Sequence, residues 1–309
     1  MPDRPSNLPA DFRLQLYQEA MQLRTARGWG YRRIAKALSA AHAIDVPKGT
    51  VSNWLLGRHN PAGRLHRYFE AIPSPELSYV IGAVLGDGYT AEDRGNGIVA
   101  FTNKDRGLLL YYLACLSSVL GAPSVGRIAM GRYGVSKAII NCRLLVILLR
   151  KPLPKLAPFI ERYPAPFIRG FFDAEGSSII TVNRGNLTAG VSASNTDVRL
   201  LRYISRLLRD RFHIHSSIRV ARKPWRTVIH GKPVQFKKIV FALRVRRIRD
   251  VQVFASKIGF ASARKQKILG DALGLIRAHG SREAAGYWPH AHQKIGNRWQ
   301  PIPHELNRH

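Results

Sequence analysis

The apolar positions of this chain fall into two regimes. Near the N-terminus they recur at helical spacing. Phe12, Leu16, Ala20 and Leu23 share one side of a helix predicted over residues 11–27, which Gly28-Trp29-Gly30 ends. A second short helix at 31–38 turns Ile34, Ala35 and Leu38 inward. After a turn containing Pro47 and Gly49, a third at 50–56 stops at Gly57. Pro61, Gly63, Pro73 and Pro75 mark a linker over 61–75. Beyond the linker the pattern repeats. Residues 80–88 and 168–176 are apolar helices. Each is followed by a strand ending in Asn-x-Asp (Asn103 to Asp105, Asn195 to Asp197), with the Asp placed to cap a helix at about 106–120 or 197–212. Further strands are predicted at 124–130 with 135–141, and at 216–222 with 237–245. In 238–246 one face is apolar and the other carries Lys238, Arg244 and Arg246, the pattern of a sheet with one side on a core.

The charge balance narrows the partners. Lys plus Arg number 49 against 19 Asp plus Glu, a net charge of +30, and such self-repulsion is best relieved by a polyanion such as nucleic acid. No apolar run reaches the roughly 18 to 20 residues that cross a bilayer, and the first residues resemble neither a signal nor a transit peptide. Cys115 and Cys142 are too few for a disulfide framework or a four-thiolate zinc site, and read as small buried residues of a reducing compartment. The chain is expected to be cytoplasmic and nucleoid-associated, an organelle being the other compartment open to it.

The first three helices are similar to the helix-turn-helix family. Ala35 lets two helices meet, Val51 and Trp54 lock the second against the first, and Lys48, Thr50, Ser52 and Asn53 would face a major groove. A three-helix bundle that touches only protein is the plainer alternative.

The two apolar helices carry the chemistry. Small residues stand at matching positions four apart, Gly82 and Gly86 in the first, Gly170 and Ala174 in the second, so the helices can cross with their backbones close. Each ends in a carboxylate followed by glycine: Asp87-Gly88 and Glu175-Gly176. The glycines suit the left-handed conformation that closes a helix. The acids then sit where the helix dipole is already negative, at a cost of about 0.3–1 kcal/mol each. Paired, they also repel, and a divalent cation with oxygen ligands resolves both problems, Mg²⁺ above all where phosphate is near. Asp173, two residues before its helix end, is expected to stabilise local structure.

These motifs resemble the LAGLIDADG homing endonuclease family in its monomeric two-motif form, over roughly residues 76–275. The resemblance implies an α+β fold: tandem pseudo-twofold αββαββα repeats forming a DNA-binding saddle, preceded here by the all-α helix-turn-helix domain. The domains are then 1–60, the 61–75 linker, a first repeat at 76–160, a second at 161–278, and a surface tail at 279–309. It further implies that Asp87 and Glu175 hold the metal, with the Gly86 and Ala174 positions beside them. Asn103 and Asn195 order water, and Lys265 in Ala263-Arg264-Lys265-Gln266-Lys267 stands beside the scissile phosphate. Arg162 is the candidate counterpart of Lys265 in the first repeat. Arg127, Arg132, Lys137, Arg199, Arg219, Arg222, Lys223, Lys238, Arg244 and Arg246 would contact the duplex, Arg199 also reaching the site.

The expected activity is therefore site-specific, Mg²⁺-dependent double-strand cleavage by a monomer, in the manner of intron homing. Two rivals keep the fold without that chemistry, a non-cleaving DNA-binding regulator and an intron RNA maturase, the latter making intron RNA a second partner. A transposase would need a carboxylate triad that the sequence does not show. Met1 and the absence of Cys or Ser at splice-junction positions argue against excision from an intein.

Overall fold

The computed structural model describes residues 10–56, 69–93, 96–121, 126–130, 135–229, 232–296 and 298–302. The chain divides into two compact units, Met1–Phe69 and Glu70–His309.

The first unit is built from α1 (Ala10–Arg27), α2 (Tyr31–His42) and α3 (Lys48–Leu55). Leu16 and Ala20, then Ile34, Ala35 and Leu38, then Val46, Val51 and Trp54 form its core. Between α2 and α3 the chain reverses through Ala43 in the left-handed region (φ 54°), and Ser39 Oγ accepts the Val46 N–H at 2.9 Å. α3 begins at Lys48, earlier than its apolar pattern, because Pro47 presets the entry and its carbonyl accepts from Thr50 and Val51. Residues 57–68, which include most of the expected linker, lie outside the described residues.

The second unit runs the same sequence of elements twice. The first pass is α4 (Pro75–Gly86), β1 (Gly88–Asp93), β2 (Asn96–Asn103), α5 (Arg106–Val119), β3 (Arg127–Met130), β4 (Ser136–Asn141), α6 (Arg143–Leu149) and α7 (Leu153–Glu161). The second is α8 (Pro164–Glu175), β5 (Gly176–Asn183), β6 (Asn186–Asn195), α9 (Val198–Phe212), β7 (Ser217–Arg222), β8 (Trp225–Ile229), β9 (Lys232–Phe236), β10 (Val240–Val245) and α10 (Ile248–Val253). A π-helical turn (Phe254–Ile258), α11 (Ala263–Ala291) and the hairpin β11–β12 (His292–Ile295, Arg298–Pro301) follow. The two main sheets, both antiparallel, have matching orders, β1-β2-β4-β3 and β5-β6-β10-β7, so the class is α+β with an internal repeat. Asp105 and Asp197 cap α5 and α9, accepting from Leu108 N (3.2 Å) and Arg199 N (2.9 Å).

Each sheet has one apolar and one polar face. In the second, Leu187, Val191, Leu243 and Ile218 share the face toward α9, while Thr181, Ser192, Arg219 and Arg244 share the other. The repeats meet along α4 and α8. A Cβ on Gly82 would overlap the Phe167 carbonyl oxygen, and one on Gly170 the Tyr79 carbonyl oxygen. The small residues thus let backbone meet backbone.

Three features depart from the sequence reading. The expected strand over 237–245 starts only at Val240, so Lys238 and Arg246 flank it and only Arg244 belongs to its polar face. A separate hairpin, β8–β9, occupies the connection before it. The expected surface tail instead packs: α11 kinks at Gly280 (φ 71°) and runs on, burying Trp288, which stacks on His292 at 3.7 Å, and Trp299 Nε1 donates to Ile180 O at 3.1 Å.

Candidate active site

The site forms where α4 and α8 end together. Asp87 is the residue after α4, and Glu175 is the last of α8. Gly86 brings them close: a Cβ there would lie 2.6 Å from Ala174 Cβ and 3.1 Å from Glu175 Cγ. Gly88 and Gly176 are not left-handed, contrary to expectation. Both glycines are required because the strand turns straight back over its helix. A Cβ on Gly88 would stand 2.5 Å from Val84 Cα, and one on Gly176 2.9 Å from Phe172 Cα.

Electrostatics follow from this packing. Burial first, and the Asp87 charge second, push the Glu175 carboxyl up to about 7, against the Asn195 amide, which donates to its Oε1 at 2.9 Å. Burial likewise raises Asp87, opposed by the Lys265 charge. Lys265 moves the other way, down to about 8, because burial outweighs the attraction of Asp173, Asp87 and Asp105. Its Nζ donates to Asp173 O (2.6 Å) and Phe172 O (3.2 Å), carbonyls of the last turn of α8. A cation at that end complements the helix dipole, and two of the three ammonium hydrogens are thereby used.

The turn that delivers Lys265 is anchored by Asp173. Its buried carboxylate accepts from Ala261 N (3.0 Å), Ser262 N (3.2 Å) and the Tyr79 hydroxyl of α4 (3.1 Å). Ser262 Oγ in turn donates to Asp105 Oδ2 at 2.6 Å. Asp87, Asn103, Asp105, Ser178, Lys265 and Trp299 border a cleft of about 1000 Å³.

Residues 162–259 match the family model of a LAGLIDADG-like domain. The chain carries a LAGLIDADG-like domain. The match covers the second repeat, and the matching sheet order extends the architecture to the first. An uncharacterised protein of Methanocaldococcus jannaschii is 27% identical over 273 residues, 86% of this chain and 96% of its own. Among solved structures, I-DmoI in complex with DNA and Mn aligns at 21% identity and TM-score 0.43, over 61% of this chain and 98% of that one. Full-length WhiA from Thermatoga maritima aligns at 17% identity and TM-score 0.43, over 68% and 64%.

Within the second unit, the predicted residues separate into those gathered where α4 and α8 end and those that are not. Asp87, Glu175, Asn195 and Lys265 come together as described. Asn103 lines the cleft and its Oδ1 accepts the Asp105 N–H at 3.0 Å, as Asn195 does from Asp197 at 2.9 Å. Arg199 does not reach it. That side chain is exposed, 3.8 Å from Asp197, and lines a separate groove with Arg202 and Arg206. Arg162 also fails as the counterpart of Lys265. It sits before α8, whose 12 residues put about 18 Å between that end and Glu175.

Arg127 is exposed on β3, and Lys137 of β4 donates to the Tyr89 hydroxyl at 3.0 Å. Arg219 and Arg222 are exposed on β7, Lys223 and Lys238 in the connections, Arg246 just past β10, and Arg244 is half-buried. Arg132 lies outside the described residues. In the first unit Lys48 is exposed and Thr50, Ser52 and Asn53 half-buried on α3. Lys48 borders an open basic groove with Arg32, Arg33 and Lys36. Sequence reasoning missed Ser178, whose Oγ donates to Lys265 O at 2.9 Å, and the Ser262–Asp105 bond. It also missed Trp299, brought in by the C-terminal hairpin without any local motif.

Proposed function

We propose that this protein is a site-specific double-strand DNA endonuclease whose cutting depends on Asp87 and Glu175. The observation that carries the reading is the pair of carboxylates at two touching helix ends, with one of them pushed up to about 7 partly by the other. Such repulsion in a half-buried setting is relieved by a hard divalent cation. Among the described residues no group of three or more His, Cys, Asp and Glu could hold a metal, so two carboxylates would be joined by phosphate oxygens and water. That donor set fits Mg²⁺. Asp87 and Glu175 would hold the ion, with the Gly86 and Ala174 backbone beside them, and it would supply Lewis-acid stabilisation of phosphate oxygens.

The chain's own residues perform the rest. Asn195 fixes the Glu175 carboxylate through its amide N–H, and Asn103 orders water in the cleft. Lys265 keeps one N–H to offset charge developing on the phosphate. The polar sheet faces with Arg127, Lys137, Arg219 and Arg244 take the duplex, and the N-terminal unit adds a helix-turn-helix contact through Lys48, Thr50, Ser52 and Asn53. The protein acts as a monomer, since both acids come from one chain.

One observation favours a non-cleaving regulator on the same fold: two of the Lys265 hydrogens are already spent on the α8 carbonyls. Cleavage of a randomised double-stranded library with Mg²⁺ decides between them. Site-specific breaks by wild type, lost in Asp87→Asn and Glu175→Gln while binding survives, establish the nuclease. Tight binding without cutting by wild type establishes the regulator.

A further inference from the structure

The two repeats differ most in the connection between their last two sheet strands. In the first repeat β3 and β4 are joined by residues 131–135; in the second β7 and β10 are joined by 223–239, which fold into the β8–β9 hairpin. That hairpin is a sheet of its own, joined to the ends of β7 and β10 by residues 223–224 and 237–239 and set off from them by an irregularity at Val240/Phe241, where two residues on one side oppose three on the other. An isolated two-stranded hairpin is marginal in water. This one is held by a stack: Trp225 lies on Phe236 with ring centroids 4.1 Å apart and 12° between planes, and the Arg222 guanidinium sits 4.5 Å from the indole. Trp225 and Phe236 share one face, and Arg226 and Gln235 the other.

Charge follows the same asymmetry. Residues 217–245, from the start of β7 to the end of β10, hold eight lysines and arginines and no acid, whereas the corresponding 127–141 hold three and no acid. An insertion that basic, stiffened by its own aromatic stack and tethered at both ends to the β7–β10 pair of the sheet, matches an extended polyanion better than a compact ligand.

We propose that the β8–β9 hairpin grips the duplex beyond the reach of the first repeat, giving an asymmetric site whose second-repeat arm is the longer and the more salt-sensitive. This rests on the DNA-binding reading above. Five residues per strand make the hairpin about 17 Å long, the length of about 5 base pairs. Exposed Arg226 near the start of β8, and Lys237 and Lys238 in the connection after β9, supply phosphate contacts at the hairpin's base.

The test uses the full chain and duplexes selected by it from a randomised library, mapped by hydroxyl-radical footprinting. One variant replaces residues 224–238 with Asn-Gly; a second, less invasive one is R226S/K237S/K238S. The expected result is that the loop replacement shortens one arm of the footprint by about 5 base pairs and leaves the other unchanged. The triple variant should lower the slope of log affinity against log salt by up to about 2.7. A wild-type footprint with equal arms, or one unchanged by the replacement, overturns the asymmetry while leaving the DNA reading standing. Failure of wild type to select any duplex overturns both.

Discussion

Replacing Glu175 with Gln should abolish cutting and at the same time stabilise the protein. In the folded chain burial and Asp87 hold this carboxyl at about 7 against 4.5 in its ordinary state. Between those values the folded form binds more protons than the unfolded one. Stability contributed by the protonated group is therefore present at low pH and lost as pH rises toward 7. At about 1.4 kcal/mol per pH unit the penalty above pH 7 approaches 3.5 kcal/mol, and partial solvent access reduces it to about 2–3. Glutamine removes the charge while its Oε1 still accepts from Asn195, so the variant escapes the penalty and keeps the hydrogen bond. Melts in EDTA at pH 8 should place Glu175→Gln about 2–3 kcal/mol above wild type, roughly 5–10 °C for a unit of this size. At pH 4.5 the two should coincide. Added Mg²⁺ should raise the wild type and close the gap from the other side. A variant no more stable than wild type at pH 8 without metal would refute the paired-acid electrostatics, whatever happened to activity.

Other expectations follow from the same geometry. Gly82→Ala forces a Cβ into the Phe167 carbonyl and should cost about 3 kcal/mol or more in urea unfolding, whereas Gly270→Ala, in open space on α11, should gain up to about 1 kcal/mol. Asp173→Asn leaves the Tyr79 hydroxyl and the Ala261 and Ser262 amides with one acceptor oxygen in place of two. It should destabilise by about 2–4 kcal/mol and weaken cleavage through misplacement of Lys265, read as a fall in kcat in single-turnover assays. Lys265→Met should reduce cleavage by about 100-fold or more with binding retained, Lys265→Arg recovering part of it; in wild type the rate should decline above about pH 8 as the ammonium loses its proton.

The sequence disclosed the repeat and the acids because both are written in short local patterns. The small-residue spacing predicted a close crossing, and Gly82 and Gly170 show why nothing larger fits. Asn-x-Asp located the caps, since a strand end and a helix start leave the same trace in both copies. What stayed hidden depends on long-range packing. The Gly88 and Gly176 requirement was visible but its cause was misassigned, because only the folded chain shows the strand returning over its own helix. The β8–β9 hairpin was invisible, since Pro224, Pro233 and a run of charges break the alternation that announces a strand. Trp299 reaches the site from a remote sequence position, and Ser262, though beside the 263–267 segment, bonds to Asp105 in the other repeat, so no spacing rule could find either contact.

The α4–α8 contact made of glycine against carbonyl has a consequence for how such a protein can change. Apart from the Tyr79–Asp173 and Ser262–Asp105 hydrogen bonds, such a seam specifies little about the side chains around it. Each half is then free to drift in its outward-facing strands without renegotiating the contact that keeps the acids together. Halves from different relatives that retain a small residue at the Gly82 and Gly170 positions, together with the Tyr79–Asp173 and Asp105–Ser262 pairs, should graft onto one another as interchangeable parts. Recombination at the 162–164 junction would generate new sequence preferences in a single step.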